Sequence, residues 1–208
     1  MILAVDTSLG SAVALIDADG RVLADASSPD PLGHAEVIGD LLERALVEDA
    51  EITHVVAGMG PGPFTGLRIG IAAARAFALG RGVPVVAVPS HFAAALAVID
   101  PPDGAGIDSA PFAIVTDARR REVAISVFDG VDADGIPNLV EPTILVPRAE
   151  SEERLRGMHA IEVSTLDAAA LGRVGIRAAN AGRELAGAEP LYLRQPDVTV
   201  PGVPKRVS

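Results

Sequence analysis

Residues 58–70 read Gly58-Met59-Gly60-Pro61-Gly62-Pro63-Phe64-Thr65-Gly66-Leu67-Arg68-Ile69-Gly70. Five glycines and two prolines here separate an apolar run from a long helical pattern, which predicts a strand that turns tightly into a helix. The small residues Gly66, Gly70, Ala73 and Ala74 on the early face of that helix would let another helix approach closely. We expect a docking surface there, although a tight turn followed by a glycine-rich internal helix accounts for the same residues.

The order of the elements around this turn indicates the fold class. Residues 2–6 and 12–17 predict a β-hairpin, residues 112–117 and 123–129 predict another, and a third extended segment follows each, at 21–26 and 139–146. The first half continues with a helix over 34–48, a strand over 52–57, a helix over 64–80, a strand over 83–88 and a helix over 90–98. This βββαβα order is that of the α/β ribonuclease H-like and actin-like (ASKHA) fold.

The repeated hairpin predicts a duplicated architecture with a shortened second half. We place the halves at residues 1–103 and 104–208, because residues 100–111 have the proline and glycine content of a linker. Only about 75 residues separate Phe112 from Gly187, so the helices of the second half should be abbreviated. The tail over 197–208 lacks periodicity and is expected to be extended or mobile.

Composition narrows the functional classes. The 208 residues are 49% hydrophobic but only 3% aromatic, with no uninterrupted apolar span and no basic start, so we expect a cytoplasmic protein without membrane contact. The absence of cysteine excludes thiolate metal sites and cysteine nucleophiles. A net charge of −11, with basic clusters only at residues 119–121 and 205–206, argues against strong direct binding of nucleic acid.

The motifs for catalysis are incomplete. The four histidines stand alone, no Walker A or Gly-x-Ser-x-Gly motif occurs, and we expect neither a metal site nor a catalytic residue. Actin-like kinases present an Asp and turn hydroxyls to nucleotide phosphates at the first hairpin; Asp6, Thr7 and Ser8 stand in that place as a vestigial phosphate loop, although such residues also simply close a turn. The second turn, residues 117–122, carries arginines where phosphate binding would need glycines.

Four motifs together resemble one family. Residues 60–70 are similar to the signature of the bacterial TsaB (YeaZ) proteins, except that Pro63 stands where that family usually has serine. Residues 6–8 resemble its Asp-Thr-Ser motif, and residues 117–123 match its Asp-Ala-Arg-x-x-Glu-Val pattern, with Ala124 in place of the usual tyrosine. Residues 190–194 resemble its Pro-x-Tyr-Leu-Arg ending.

This resemblance implies a non-catalytic dimerisation or scaffold subunit in the synthesis of N6-threonylcarbamoyladenosine at position 37 of tRNA. Its partners would be the catalytic TsaD-like subunit, a TsaE-like ATPase in the larger complex, and a second copy of itself when alone. No cofactor is expected on the isolated chain, while a nucleotide at a subunit junction is left open. The residues implied at the partner interface are His34, Val37, Leu41, Pro61, Gly62, Phe64, Thr65, Gly66, Leu67, Arg68, Gly70 and Ala74.

Other roles are expected to be structural, and one rival function stays open. Asp117, Arg119 and Glu122 should tie the second hairpin to a neighbour, and Tyr192 should pack the end of the chain onto its body. His34 is expected as a capping or interface residue or as a plain surface histidine. The rival is an ATP-dependent phosphotransferase of the acetate and sugar kinase class, which would need a second glycine-rich phosphate loop.

Overall fold

A computed structural model describes residues 1–30, 33–47, 50–101, 104, 106–107 and 110–194. The first half contains β1 (Ile2–Asp6), β2 (Ser11–Ile16), β3 (Val22–Ser28), α1 (His34–Ala45), β4 (His54–Gly58), α2 (Phe64–Arg81), β5 (Val85–Val88) and α3 (Ser90–Ile99). The second half contains β6 (Phe112–Asp117), β7 (Glu122–Val131), β8 (Pro137–Pro147), α4 (Arg148–Arg154), β9 (His159–Glu162) and α5 (Ala168–Asn180).

The two sheets repeat one topology. The first has the order β3-β2-β1-β4-β5, in which β1 pairs antiparallel with β2 and parallel with β4. The second has the order β8-β7-β6-β9, in which β6 pairs antiparallel with β7 and parallel with β9. The second sheet thus repeats the first without its fifth strand, and α4, which follows three strands as α1 does, has only 7 residues against 12 in α1. The duplicated actin-like fold with a shortened second half is confirmed.

The last helix of each half packs against the sheet of the other half. Helix α3 contacts β6, β7 and β8 of the second sheet, while α5 packs against β1, β2, β4 and β5 of the first. Glycines permit the close approach of α5, since a Cβ atom on Gly175 would lie 2.4 Å from Val56 Cγ2 and one on Gly172 would lie 2.9 Å from Ile16 Cδ1. One apolar core therefore runs from the first sheet through α3 and α5 into the second sheet.

A second core fixes α1 and α2 on the opposite face of the first sheet. Leu41 and Ala45 of α1 and Leu67 and Ala74 of α2 are buried there with strand residues such as Leu3. Burial of these positions stabilises the half by about 25 cal/mol for each Å² of apolar surface removed from water. The inner faces of α1 and α2 are thus covered by the chain's own sheet.

Several predicted boundaries move by a few residues. Helix α1 ends at Ala45, because Leu46 has extended backbone angles, and the predicted end at Glu48 lies outside the described residues. Strand β4 begins at His54 instead of Ile52, and α2 ends one residue later than predicted, with Gly82 left-handed at φ 67°. The tail over 197–208 and much of the linker also lie outside the described residues, and the boundary between residues 103 and 104 stays a prediction.

Candidate functional site

The first hairpin turn encloses its own carboxylate. Asp6 is 1% exposed at the end of β1, where its Oδ1 accepts hydrogen bonds from the Ser8 amide at 2.7 Å and the Ser8 hydroxyl at 2.5 Å. Its Oδ2 accepts from the Ser90 hydroxyl at 2.5 Å. Burial raises the pKa of Asp6, and the hydrogen bonds from Ser8 and Ser90 oppose that rise. Both carboxylate oxygens are therefore satisfied inside the chain.

The glycine turn is shaped to fit this hairpin. A Cβ atom on Gly58 would lie 1.7 Å from Asp6 Oδ2, and one on Gly62 would lie 2.8 Å from Ser8 Cα. One on Gly70 would lie 2.2 Å from Thr7 Oγ1, which donates a hydrogen bond to the Gly66 carbonyl at 2.7 Å. The glycines let β4, the turn and the first turns of α2 pack directly on residues 6–8.

The predicted partner interface separates into an inner and an outer set. Seven of its positions are buried within the chain, namely His34, Leu41, Pro61, Gly66, Leu67, Gly70 and Ala74. Val37, Gly62 and Phe64 are half-buried, and Thr65 and Arg68 are exposed. The expectation that Gly66, Gly70 and Ala74 present a small-residue docking face is corrected, because the chain's own hairpin turn and sheet cover them.

His34 takes a role that the sequence did not predict. The N-cap of α1 is Gly33 and lacks a side-chain cap hydrogen bond, so His34 is not a capping residue. It is 3% exposed, its Nδ1 pairs with Ser11 Oγ at 2.8 Å, and a Cβ atom on Gly66 would lie 2.8 Å from its Nε2. His34 therefore joins α1, β2 and α2, and its expected surface position is corrected.

The second hairpin turn has a different build. Arg119, Arg120 and Arg121 all have left-handed backbone angles, with φ of 64°, 53° and 64°. Asp117 pairs with Arg148 at 3.0 Å, and Glu122 forms an ion pair with Arg194. Asp117 and Glu122 are thus both paired with arginines from later in the chain, whereas the Arg119 side chain has no ion pair or hydrogen bond within the described part of the chain.

A cleft lies between the two hairpin turns. Its volume is about 410 Å³, and the first half contributes residues 8–10, Pro29, His34 and Pro63. The second half contributes residues 115–117, Arg119, Arg148 and residues 162–164. Of the three residues predicted as a phosphate loop, Ser8 reaches this cleft, whereas Asp6 and Thr7 are not among its lining residues. The cleft thus presents mixed polar groups, with the carboxylate of the first turn sealed behind it.

A smaller and mostly apolar pocket of about 210 Å³ adjoins the cleft. Pro63, Thr116, Asp117 and Arg119 line both cavities. Ala124 lines the pocket as well, so its small side chain leaves part of this space open. The pocket is closed on one side by residues 192–194, the last described part of the chain.

The end of the chain returns to the first half. The Leu191 amide donates to the Met59 carbonyl at 2.7 Å, and the ring of Tyr192 lies 4.5 Å from that of Phe64. Arg68 Nε donates to Tyr192 Oη at 3.0 Å, and Arg75 hydrogen-bonds to the Ala188 carbonyl. Tyr192 thus packs against Phe64, and residues 188–192 cover part of the outer side of α2.

Sequence reasoning missed a buried polar network at the contact of the halves. His91 of α3 is 1% exposed, with Nδ1 2.7 Å from Ser126 Oγ and Nε2 2.9 Å from Thr116 Oγ1. Burial lowers the pKa of His91 from 6.5 to about 3, so the ring is neutral at ordinary pH. The signal was weak, since a single histidine in an apolar helix does not indicate which hydroxyl groups of a distant sheet it meets.

Among the described residues, no group of three His, Cys, Asp or Glu side chains could hold a metal ion. No helix in the described ranges is both long and apolar enough to cross a bilayer.

The chain has one five-stranded and one four-stranded sheet of the same topology, with a cleft between their equivalent hairpin turns, and these features define a protein of the actin-like fold. The family model described as TsaD, tRNA N6-adenosine threonylcarbamoyltransferase, matches residues 33–136. YeaZ from Pseudomonas aeruginosa superposes with a TM-score of 0.70 at 25% identity, covering 92% of this chain and 99% of that one. This chain therefore belongs to the TsaD family of proteins, among its TsaB (YeaZ) members.

Other relatives match along nearly the whole chain. A second P. aeruginosa structure, of a protein described as similar to the peptidase YeaZ, has a TM-score of 0.71 at 25% identity, over 93% of this chain and 99% of that one. The uncharacterized protein Rv3421c of Mycobacterium tuberculosis is 35% identical over 94% of this chain and 92% of its own length. The similarity thus extends through both halves.

Proposed function

We propose that this chain is a non-catalytic subunit of the machinery that forms N6-threonylcarbamoyladenosine at position 37 of tRNA. The observation that carries the proposal is the sealed Asp6 carboxylate, whose two oxygens accept hydrogen bonds from Ser8 and Ser90. A metal-assisted phosphotransferase needs such a carboxylate at the cleft. The arginine-rich second turn also lacks the glycines that bring backbone amides to a phosphate. Catalysis would then belong to a TsaD-like partner.

The partner contact belongs on the outer faces of α1 and α2. Thr65, Arg68, Ala72, Ala76 and Leu79 are exposed along α2, and Leu79 is 84% exposed. The exposed positions of α1 are Ala35, Glu36, Gly39, Asp40, Glu43 and Arg44. We assign the contact to these faces because the chain's own sheet leaves them uncovered, and Leu79 adds one large apolar side chain to them.

The proposal also covers self-association, a further partner, the location of the chain and its ligands. The same surface would join two copies of the chain when the TsaD-like partner is absent, and a TsaE-like ATPase would complete the larger complex. The isolated chain would act in the cytoplasm without a bound cofactor, and any nucleotide would sit at a subunit junction. Its net charge of −11 makes strong binding of tRNA by the chain alone unfavourable.

Charge reversal on the outer face tests the proposal. Glu43→Lys should weaken pairing with the TsaD-like subunit and lower the threonylcarbamoyladenosine content of tRNA in depletion strains complemented with the variant. Glu152→Lys makes the same charge change on α4 and is the matched control, since both glutamates are exposed. Mass spectrometry of tRNA and calorimetry with the partner give the two readouts. If the two variants show equal tRNA modification and equal affinity for the partner, α1 does not form part of the interface.

Asp6→Ala separates the scaffold from the rival phosphotransferase. If the chain is a scaffold, the Asp6→Ala variant should still support tRNA modification, provided that it folds and pairs with the TsaD-like partner. If the folded, normally paired Asp6→Ala protein supports no modification, the first hairpin is a working phosphate site and the non-catalytic proposal fails. The pairing measurement is essential because loss of the buried carboxylate also lowers stability.

A further inference from the structure

The second hairpin turn holds three consecutive arginines in a backbone conformation that disfavours them. The Glu122 amide donates to the Arg119 carbonyl at 3.0 Å, which makes Arg120 and Arg121 the central residues of a two-residue turn. Their φ angles are 53° and 64°, and that of Arg119 is 64°. Asn and Gly are the usual residues at such positions because they adopt left-handed angles with little or no steric conflict. The needs of the turn therefore do not explain its arginines.

The side chains form a cationic tip on an acidic protein. All three arginines are exposed, and the side chains of Arg119 and Arg121 make no ion pair or hydrogen bond with the described residues. Arg121 also borders one surface depression together with Arg148 and Arg194. Arg148 pairs with Asp117 at 3.0 Å and Arg194 pairs with Glu122, whereas Arg119 and Arg121 have no acidic partner among the described residues. Backbone strain of this kind is typical of functional sites, and the exposed guanidinium groups of Arg119 and Arg121 suit an anionic partner.

We propose that this arginine turn contacts the phosphodiester backbone of the tRNA that the catalytic partner holds. The inference rests on the proposed function, because it takes from it the presence of tRNA in the complex. Guanidinium groups match the geometry of phosphate oxygens and keep their charge at any working pH. The net charge of −11 makes the contact auxiliary, so that the partner supplies most of the affinity. Arg119 also borders the cleft, which places the tip at the opening between the halves.

Asparagine substitutions test this proposal because they suit the turn better than arginine does. The double variant Arg119→Asn/Arg121→Asn should raise the melting temperature by about 2–4 °C through relief of backbone strain. Pairing with the TsaD-like subunit should stay unchanged. The affinity of the pair for tRNA carrying adenosine at position 37 should fall about tenfold. The slope of log affinity against log salt should fall by about 1.5, as expected for two lost phosphate contacts.

Two control variants sharpen the test. Arg21→Asn/Arg156→Asn removes the same number of charges from exposed positions elsewhere and should leave the salt slope unchanged. Arg119→Lys/Arg121→Lys keeps the charge and should keep most of the affinity. A salt slope of the asparagine turn variant equal to that of the Arg21 and Arg156 control would overturn the proposal. Loss of pairing without RNA would also overturn it, since the turn would then face an acidic protein surface.

The test distinguishes failure of this inference from failure of the proposed function. If the wild-type chain does not pair with a TsaD-like subunit, the proposed function fails. The isolated full chain is therefore also titrated with the same tRNA at low salt, where weak phosphate contacts are measurable. A weaker signal for the asparagine turn variant than for the Arg21 and Arg156 control supports the inference there, and equal signals overturn it.

Discussion

Gly70→Ala should destabilise the isolated chain, although glycine within a helix is ordinarily the less stable residue. The added Cβ atom would lie 2.2 Å from Thr7 Oγ1 and 2.9 Å from Thr7 Cγ2. Thr7 is 1% exposed, and its hydroxyl donates to the Gly66 carbonyl at 2.7 Å, so rotation of the side chain would break that hydrogen bond. The methyl group therefore has no free space.

The opposing contributions can be compared. Alanine gains about 1 kcal/mol over glycine in helix propensity. Overpacking costs about 1–3 kcal/mol, and loss of the Thr7 hydrogen bond costs about 1 kcal/mol more. We expect Gly70→Ala to lower the free energy of unfolding by about 1–3 kcal/mol, read from the urea midpoint at constant slope.

Two further variants make this prediction refutable. Gly80→Ala changes another glycine of α2 whose Cβ atom would meet nothing within 4 Å, and it should stabilise by about 0.5–1 kcal/mol. In a Thr7→Ala background, Gly70→Ala should cost at least about 1 kcal/mol less, because the clashing hydroxyl is gone. If Gly70→Ala behaves like Gly80→Ala, the face of Gly70 is open, and the reasoning about its close packing is refuted.

Three other outcomes are expected. Ser90→Ala should lower the free energy of unfolding by about 2–3 kcal/mol, because Asp6 loses a hydrogen-bond donor and the Gly60 amide loses an acceptor. The control Ser27→Ala changes an exposed serine and should have little effect. Equal urea midpoints for the two variants would contradict this prediction. Burial lowers the pKa of His91 from 6.5 to about 3 in the folded chain, so between these values only the unfolded chain binds the proton. The free energy of unfolding should therefore fall by about 1.4 kcal/mol for each pH unit below 6.5, in excess of any fall in the His91→Gln variant. Parallel pH profiles of the two proteins would refute this. Calorimetry and a phosphate-release assay should show neither tight binding nor hydrolysis of ATP by the chain alone, and micromolar affinity would count against a vestigial phosphate loop.

The sequence determined the repeat and the class of fold. Short continuous apolar runs open the segments at residues 2–6 and 112–117, and each leads through a polar turn into a second such run, which is a local pattern of buried strands. The glycine turn is equally local, since backbone angles and helix starts depend on neighbouring residues. These signals sufficed for the order of elements, whereas helix ends such as Ala45 depend on where the core stops covering the chain.

Only the tertiary structure decided which surface each residue faces. Glycine at 70 is equally compatible with a docking face and with close internal packing, and the choice follows from Thr7, 63 positions earlier in the chain. Asp6 is sealed by Ser90, and His91 meets Thr116 and Ser126, because the crossing of α3 to the other half brings distant hydroxyls together. Side-chain burial and pairing are sums over contacts between distant segments, so a linear pattern leaves them undetermined until the sheets and helices have packed.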